Sequence, residues 1–269
     1  MSLEDLNGAL IALDVDGTIL RSDSVLALRT SEALDRARQL GATVTLATGR
    51  DWVGVRDLLP TIPSADYALC VNGTEVATAD GAILHATELD IDVARSVVAT
   101  LRSVLPGVAF GMGRDGDLIG EPLIAQNLPP DVGHTKEVSD VTESFGPGIR
   151  DLVIFHPDYV EDLDGLHALC LRALPVEGLE VTYSGLPMIE IVPPGSGKDA
   201  GLAWLANHLG ISNDRVVAFG DGLNDLGMLR WAGTGVAMGQ APAAVMKCAD
   251  EVTTSNDDDG VAQWLEERF

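Results

Sequence analysis

Hydrophobic and polar positions along the chain alternate with two different periods. Short apolar runs over 9–13, 44–47, 67–71 and 216–219 each stop at a polar or glycine-rich cluster, the pattern of buried strands. Between them lie stretches with apolar residues at helical spacing. Ala33, Leu34, Ala37 and Leu40 predict a helix over 31–40, with Gly41 as its stop. The stretch 52–59 predicts a short helix ended by Pro60. Asn72-Gly73 predicts a two-residue hairpin, and Asp80-Gly81 a second turn. The last third repeats the alternation, with helices over 200–209, 226–231, 243–248 and 261–269 and a strand over 235–238. Strands alternating with helices predict βαβ units on a parallel sheet.

The texture changes after His85. Val93, Ala94, Val97, Val98, Leu101 and Leu105 predict an amphipathic helix ended by Pro106-Gly107. Short strands flank Asp115-Gly116-Asp117, and 127–148, rich in Pro, Gly and acidic residues, predicts a loop. A strand over 152–155, a helix over 160–174 and strand-like stretches at Val181 and 188–192 follow. The organisation expected is an α/β domain from 1–84 and 186–269, with an α+β module, 85–185, inserted in it. The run Asp257-Asp258-Asp259 predicts a solvated helix start favoured by the dipole.

Composition narrows the function classes. Of 269 residues 46% are apolar and 22% charged, enough for a core and against disorder. The net charge of −24 disfavours nucleic acid or an anionic membrane as partner, since both need a basic face. No window reaches about 18 apolar residues, and the N-terminal stretch lacks a basic leader, so the expectation is a cytoplasmic protein with no membrane span. Cys70, Cys170 and Cys248 form no CxxC pair and read as small core residues.

Four polar clusters carry candidate chemistry. Asp14-Val15-Asp16-Gly17-Thr18 follows the first apolar run directly, and carboxylates at i and i+2 beside a turn-forming glycine make a cation and phosphate site. In Thr48-Gly49-Arg50 a hydroxyl and the following N–H groups can hold phosphate oxygens. Lys198 opens a helix, where its charge opposes the dipole, so a local anionic partner is expected. Gly220-Asp221-Gly222-Leu223-Asn224-Asp225 offers three oxygen donors within five residues, suited to a hard cation.

Other matches fail. Pro193-Pro194-Gly195-Ser196-Gly197-Lys198 is not a P-loop: Val192 stands where the first glycine belongs, and Asp199 where Ser or Thr would bind the metal. Gly111 to Gly116 fits GxGxxG, but a turn follows it rather than a helix. The five histidines, His85, His134, His156, His167 and His208, lack metal-site spacing, and Met228, Met238 and Met246 read as core filler.

The four clusters together resemble the haloacid dehalogenase superfamily of phosphatases, and within it the Cof-type class IIB branch. ALDVDGTIL, ATGR, VNGTEV, MIEIVPPGSGKDAGLAWLANHLGI, VVAFGDGLNDLGMLRWAGTGVAMGQAP and DDDGVAQWLEE carry the likeness over nearly the whole chain. It implies a Rossmann-like parallel-sheet core with an inserted α+β cap. It implies further that Asp14 is the nucleophile of an aspartyl-phosphate mechanism and Asp16 the general acid and base. Asp14, the Asp16 carbonyl and Asp221 would hold Mg²⁺, with Asp225 supporting that shell or Lys198. Val15 N–H, Thr48, Gly49 N–H and Asn224 would bind the phosphoryl oxygens, Lys198 would offset charge, and Arg50 would contact substrate or support its loop. Charge counting agrees: four carboxylates and a phosphate dianion need a divalent cation and Lys198 beside them. The expected activity is Mg²⁺-dependent hydrolysis of a small phosphorylated metabolite, a sugar phosphate or similar. A phosphoryl-transferring mutase and a non-catalytic phosphoryl-ligand binder are the alternatives; an intact nucleophile disfavours the binder. Arg114, Asp115 and Asp117 are candidate substrate contacts from the cap, or else a solvated turn.

Overall fold

The computed structural model of the chain describes residues 6–62, 64–114, 117–128, 135–174, 177–183 and 186–269. In chain order, β1 (Leu10–Leu13), α1 (Leu28–Gln39), β2 (Thr43–Ala47), α2 (Trp52–Leu58), β3 (Tyr67–Cys70), β4 (Glu75–Thr78) and β5 (Ile83–Ala86) come first. Then follow α3 (Ile91–Val104), β6 (Ala109–Arg114), β7 (Asp117–Gly120), α4 (Pro122–Asn127), β8 (Thr135–Glu137), β9 (Ile149–Phe155), α5 (Leu163–Ala173), β10 (Glu180–Thr182) and β11 (Ile189–Val192). The chain ends with α6 (Lys198–Leu209), β12 (Val216–Gly220), α7 (Leu226–Trp231), β13 (Thr234–Ala237), α8 (Ala243–Met246), β14 (Glu251–Val252) and α9 (Gly260–Glu266). Two compact units result: one takes the chain up to Gly49, Val55–His85 and Gly197–Phe269, the other Arg50–Gly54 and Ala86–Ser196.

The first unit is built on one sheet in the order β14-β13-β12-β1-β2-β3-β4-β5. β14 through β3 pair in parallel, and β4 runs antiparallel to β3. All four residues of β1 are buried, as a continuous apolar run demands of a central strand covered on both faces. Leu13 lies level with Phe219 of β12 and with Leu46 of β2. The polar residues after these three strands therefore emerge at one sheet edge, beside β1, the kind of place where such folds bind ligands. α1 buries Thr30, Ala33, Leu34 and Ala37 on one stripe and sets Arg36 and Arg38 at its negative C-terminal end.

The second unit is a sheet in the order β10-β11-β9-β6-β7-β8, antiparallel except for β7 with β8. Side chains alternate along it. Phe110, Met112, Leu152, Ile154, Ile189 and Ile191 pack with Val97 and Leu101 of α3 and Leu166 and Cys170 of α5. Ala109, Val153, Phe155 and Met188 form a separate cluster with Leu118 and with Ile124 of α4.

Three expectations change. The second unit runs to Ser196 rather than 185, because β11 pairs antiparallel with β9 and β10 and belongs to their sheet. The expected loop over 127–148 contains β8 and a short 3-10 turn, Val141–Ser144; part of it, 129–134, lies outside the described residues. α4, with Pro122 in its first turn, is additional: only Ile124 is fully buried in it, too little periodicity to signal a helix. The acidic run stands before α9 with Asp257 and Asp258 exposed, as expected, and it also anchors the chain: Asp259 binds Arg21 (2.7 Å) and Asp257 accepts from the Ser22 N–H (2.8 Å). As expected, Gly111 and Gly113 lie within a strand, while Asp115, Gly116 and His134 lie outside the described residues. Among the described residues no helix is long and apolar enough to cross a membrane.

Candidate active site

The site begins where β1 ends. The Asp14 N–H donates to Phe219 O (3.0 Å), extending the β1–β12 pairing one step, and the Thr48 N–H donates to Leu69 O (2.9 Å) in the same way beside β3. Asp14 and Thr48 are buried, Asp221 is half-buried, and Asp16 is exposed. Gly17 makes the turn that follows. Its φ is +85°, and a Cβ there would lie 2.4 Å from Asp221 Oδ2, so only glycine leaves the Asp221 carboxylate its place. Thr18 Oγ1 donates to Asp221 Oδ1 (3.2 Å), and Gln240 Nε2 donates to Gly17 O (2.6 Å). The Val15 carbonyl accepts from the N–H groups of Thr18 and Leu20, which closes the turn.

Lys198 is the first residue of α6, and only 1% of it is exposed. Its Nζ donates to Asp14 Oδ1 and Asp225 Oδ1, both at 2.6 Å, which is the local anionic partner its position demanded. Burial works against its charge, but the two carboxylates outweigh that and hold its pKa above the ordinary lysine value. Asp225 is fully buried, and its Oδ2 accepts from the N–H groups of Asp221 (3.0 Å) and Gly222 (2.8 Å). One side chain thus ties the Gly220–Asp225 loop to the lysine.

Three carboxylates, Asp14, Asp221 and Asp225, bring ligand oxygens within 4.8 Å of one another. Burial and the charge of Asp225 push Asp14 up to about 7 despite Lys198. Burial and Asp14 push Asp221 up to about 6, and burial raises Asp225. One ammonium does not neutralise this cluster, and its donors are hard oxygens, so the residues fit a divalent cation. Asp225 has both oxygens engaged by protein donors, while Asp14 Oδ1 accepts from Lys198 and Asp221 Oδ1 from Thr18.

The structure brings Asp14, Asp221, Asp225 and Lys198 into direct contact or near contact, with Thr48 at the same sheet edge. Asn224 donates through Nδ2 to Asn72 Oδ1 (3.0 Å), a residue of the VNGTEV stretch to which sequence reasoning gave a turn but no role at the site. The signal was present: Asn72 follows the third parallel strand at the edge where the other clusters emerge. Arg50 groups with the second unit, in the segment Arg50–Gly54. Of the other candidates there, Arg114 Nη1 donates to Ser144 O (2.5 Å), and Asp117 opens β7 in an exposed position. Two acids with raised pKa were missed, Asp151 buried and Asp51 half-buried. Asp151 of β9 accepts from the Gly113 N–H (2.7 Å) and is raised to about 6 by burial, with Asp51 contributing; burial also raises Asp51, which accepts from the Gly54 N–H (2.8 Å).

A family model described as haloacid dehalogenase-like hydrolase matches residues 11–265. The 5-amino-6-(5-phospho-D-ribitylamino)uracil phosphatase YitU of Bacillus subtilis is 28% identical over 281 residues, 97% of each chain. The chloroplastic endoribonuclease YBEY of Arabidopsis thaliana is 32% identical over 264 residues, 94% of this chain; the chain spans only 45% of that protein. A crystal structure of a haloacid dehalogenase-like hydrolase from Bacteroides thetaiotaomicron superposes with TM-score 0.80 at 28% identity, covering 98% of this chain and 100% of that one. A largely parallel sheet whose chain carries a second, α+β unit agrees with the fold of that solved structure. The chain belongs to the haloacid dehalogenase-like hydrolases and is a phosphatase.

Proposed function

We propose that this phosphatase is Mg²⁺-dependent and hydrolyses a small phosphorylated metabolite, a sugar phosphate or similar, through a covalent aspartyl-phosphate on Asp14. The observation that carries the reading is the buried Lys198 ammonium held at 2.6 Å by both Asp14 and Asp225. A lysine so placed favours the charged form of Asp14 against its burial and aims the carboxylate, which a nucleophile needs and a passive phosphate binder does not. The Bacillus relative named above acts on a phosphomonoester of a polyol chain, which supports the substrate class.

In the first step an Asp14 oxygen attacks phosphorus and the bond to the ester oxygen breaks. Asp16, exposed at the turn, gives that oxygen its proton, and the alcohol leaves. In the second step Asp16 takes a proton from water, whose oxygen attacks the same phosphorus. Inorganic phosphate departs and Asp14 is restored. Thr48, the Val15 and Gly49 N–H groups, Asn224 and Lys198 hold the phosphoryl oxygens. Asp14, the Asp16 carbonyl and Asp221 would hold Mg²⁺, with Asp225 behind them; when bound, the cation offsets the carboxylate and phosphate charges. The 86–196 cap selects the substrate, and a cytoplasmic location follows from a substrate class that does not cross membranes unaided.

The deciding experiment is a panel of phosphorylated metabolites assayed for phosphate release with Mg²⁺ and after chelation. Turnover is expected to vanish with EDTA, to return with Mg²⁺, and to return poorly with Ca²⁺, whose loose coordination suits in-line transfer less. Undiminished turnover after thorough chelation overturns the metal dependence. An isomeric phosphate as product, without free phosphate, makes the chain a mutase.

A further inference from the structure

The connection between β3 and β4 is the most contorted stretch at the site's edge. Cys70 pairs with Glu75, so residues 71–74 join the strands in place of the expected two-residue turn. Val71, Asn72 and Gly73 have φ of 47°, 52° and 90°. The left-handed region is ordinary for glycine, accessible to asparagine and costly for a β-branched valine. Such a backbone persists only where its surroundings over-determine it, and such strain clusters at functional sites.

The surroundings here are the other segments of the site. The Asn72 N–H donates to Thr48 O (2.9 Å). A Cβ on Gly73 would lie 2.5 Å from Gly197 O and 3.2 Å from Lys198 Cα, and a Cβ on Gly201 would lie 2.9 Å from Gly73 Cα. The turn is therefore pressed against the first turn of α6, the one that presents Lys198. Finally, Asn72 Oδ1, on a residue only 2% exposed, accepts from Asn224 Nδ2. Three residues thus reach Thr48, Lys198 and Asn224 at once.

An amide nitrogen carries two hydrogens in a fixed plane. With one of them committed to Asn72, the torsion of the Asn224 carboxamide, otherwise broad, is set, and its second N–H has a fixed direction. We propose that Asn72 is a positioning residue for the phosphoryl group, aligning Asn224 through this hydrogen bond, and that the left-handed Val71–Gly73 turn brings it there. The proposal rests on the reading that Asn224 binds phosphate.

The test is a double-mutant cycle on the full chain with Mg²⁺: wild type, Asn72→Gly, Asn224→Ala and both together. Glycine removes the carboxamide and is at ease at this φ, so the turn keeps its path. The readouts are kcat and KM for p-nitrophenyl phosphate, the inhibition constant of inorganic phosphate, and Tm. Asn72→Gly is expected to raise KM and the phosphate constant about tenfold, the scale of one misaligned charge-assisted hydrogen bond, with kcat within about threefold and Tm within about 4 °C. Asn224→Ala should do the same, and the double variant should be no worse than Asn224→Ala alone. If Asn72→Gly does not fold, Asn72→Ser, too short to reach Asn224, takes its place in the cycle. Equal losses with and without Asn224 would show a merely structural role and overturn the proposal. So would an unchanged phosphate constant in Asn72→Gly when Asn224→Ala raises it. If Asn224→Ala itself leaves the constant unchanged, the phosphate-binding reading of Asn224 falls, and the positioning role with it.

Discussion

At the scale of single residues, charge decides most outcomes. Asp14→Asn replaces the proposed nucleophile by an amide of nearly the same shape, and Lys198 keeps Asp225 as its partner. Turnover should fall by about 10⁴-fold or more while Tm stays level or rises, because a crowded buried carboxylate is gone. Substantial residual turnover would point to direct attack by water. Asp16→Asn should slow the first step in proportion to how much the leaving oxygen needs a proton. With an alkyl phosphate the loss should be about 10²–10⁴-fold, and with p-nitrophenyl phosphate much less; single-turnover kinetics with burst detection separates the two. Equal losses would make Asp16 a structural or metal-supporting group. Asp151 allows a prediction free of the site. Its carboxyl is raised from 3.8 to about 6, so between about pH 4 and 6 the folded chain keeps a proton that the unfolded chain has released. Stability from this group therefore falls as pH rises through that window and stays low above it. Asp151→Asn, still able to accept from the Gly113 N–H, should stabilise the protein at pH 7.5 by at most about 3 kcal/mol and give no gain near pH 4. A Tm difference independent of pH would refute the burial argument.

At the scale of elements, what was legible in the sequence was what is encoded locally. The strand ending at Leu13, the loop after Gly220 and the helix opened by Lys198 are each announced by an apolar run meeting polar residues, so most of the candidate site could be named in advance. The path of the 71–74 connection could not, because Val71 takes a left-handed conformation against its own preference, under contacts from Thr48, Gly197 and Asn224 that are remote in sequence. β11 was misassigned for a similar reason: an apolar strand reads the same in either sheet, and only its pairing with β9 decides. Asp151 was invisible because nothing in its neighbours' sequence says that Gly113, across the strand, makes room for its carboxylate. The Asp14–Thr18 loop is the element most exposed to a small change. Gly17→Ala places a methyl group at positive φ against the Asp221 carboxylate. It should cost about 10²-fold in kcat/KM, on the scale of a displacement near 1 Å, with the far-ultraviolet circular dichroism spectrum retained. Activity close to wild type would mean that Asp221 has room to retreat without consequence.

At the scale of the molecule, two sheets with separate cores divide the labour. The four clusters of the candidate site come from the first unit save Arg50, and the second unit carries its own buried acids. Exchanging residues 86–196 for the matching segment of the Bacillus relative should carry that relative's substrate ranking into the chimaera while retaining dependence on Asp14. A chimaera that keeps the original ranking would move specificity into the first unit. The division also dictates an order of events during synthesis. β1 pairs on one side with β2, made soon after it, and on the other with β12, with Leu10 opposite Val216. The ribosome must complete the whole inserted unit before that second edge is covered. Until then a fully buried strand of the enzyme is a naked template for other chains, while the insert, continuous from Ala86 to Ser196, can close on itself. The nascent chain therefore passes through a stage with a finished cap and an unfinished catalytic sheet, and that stage is where chaperone dependence and aggregation during expression should concentrate.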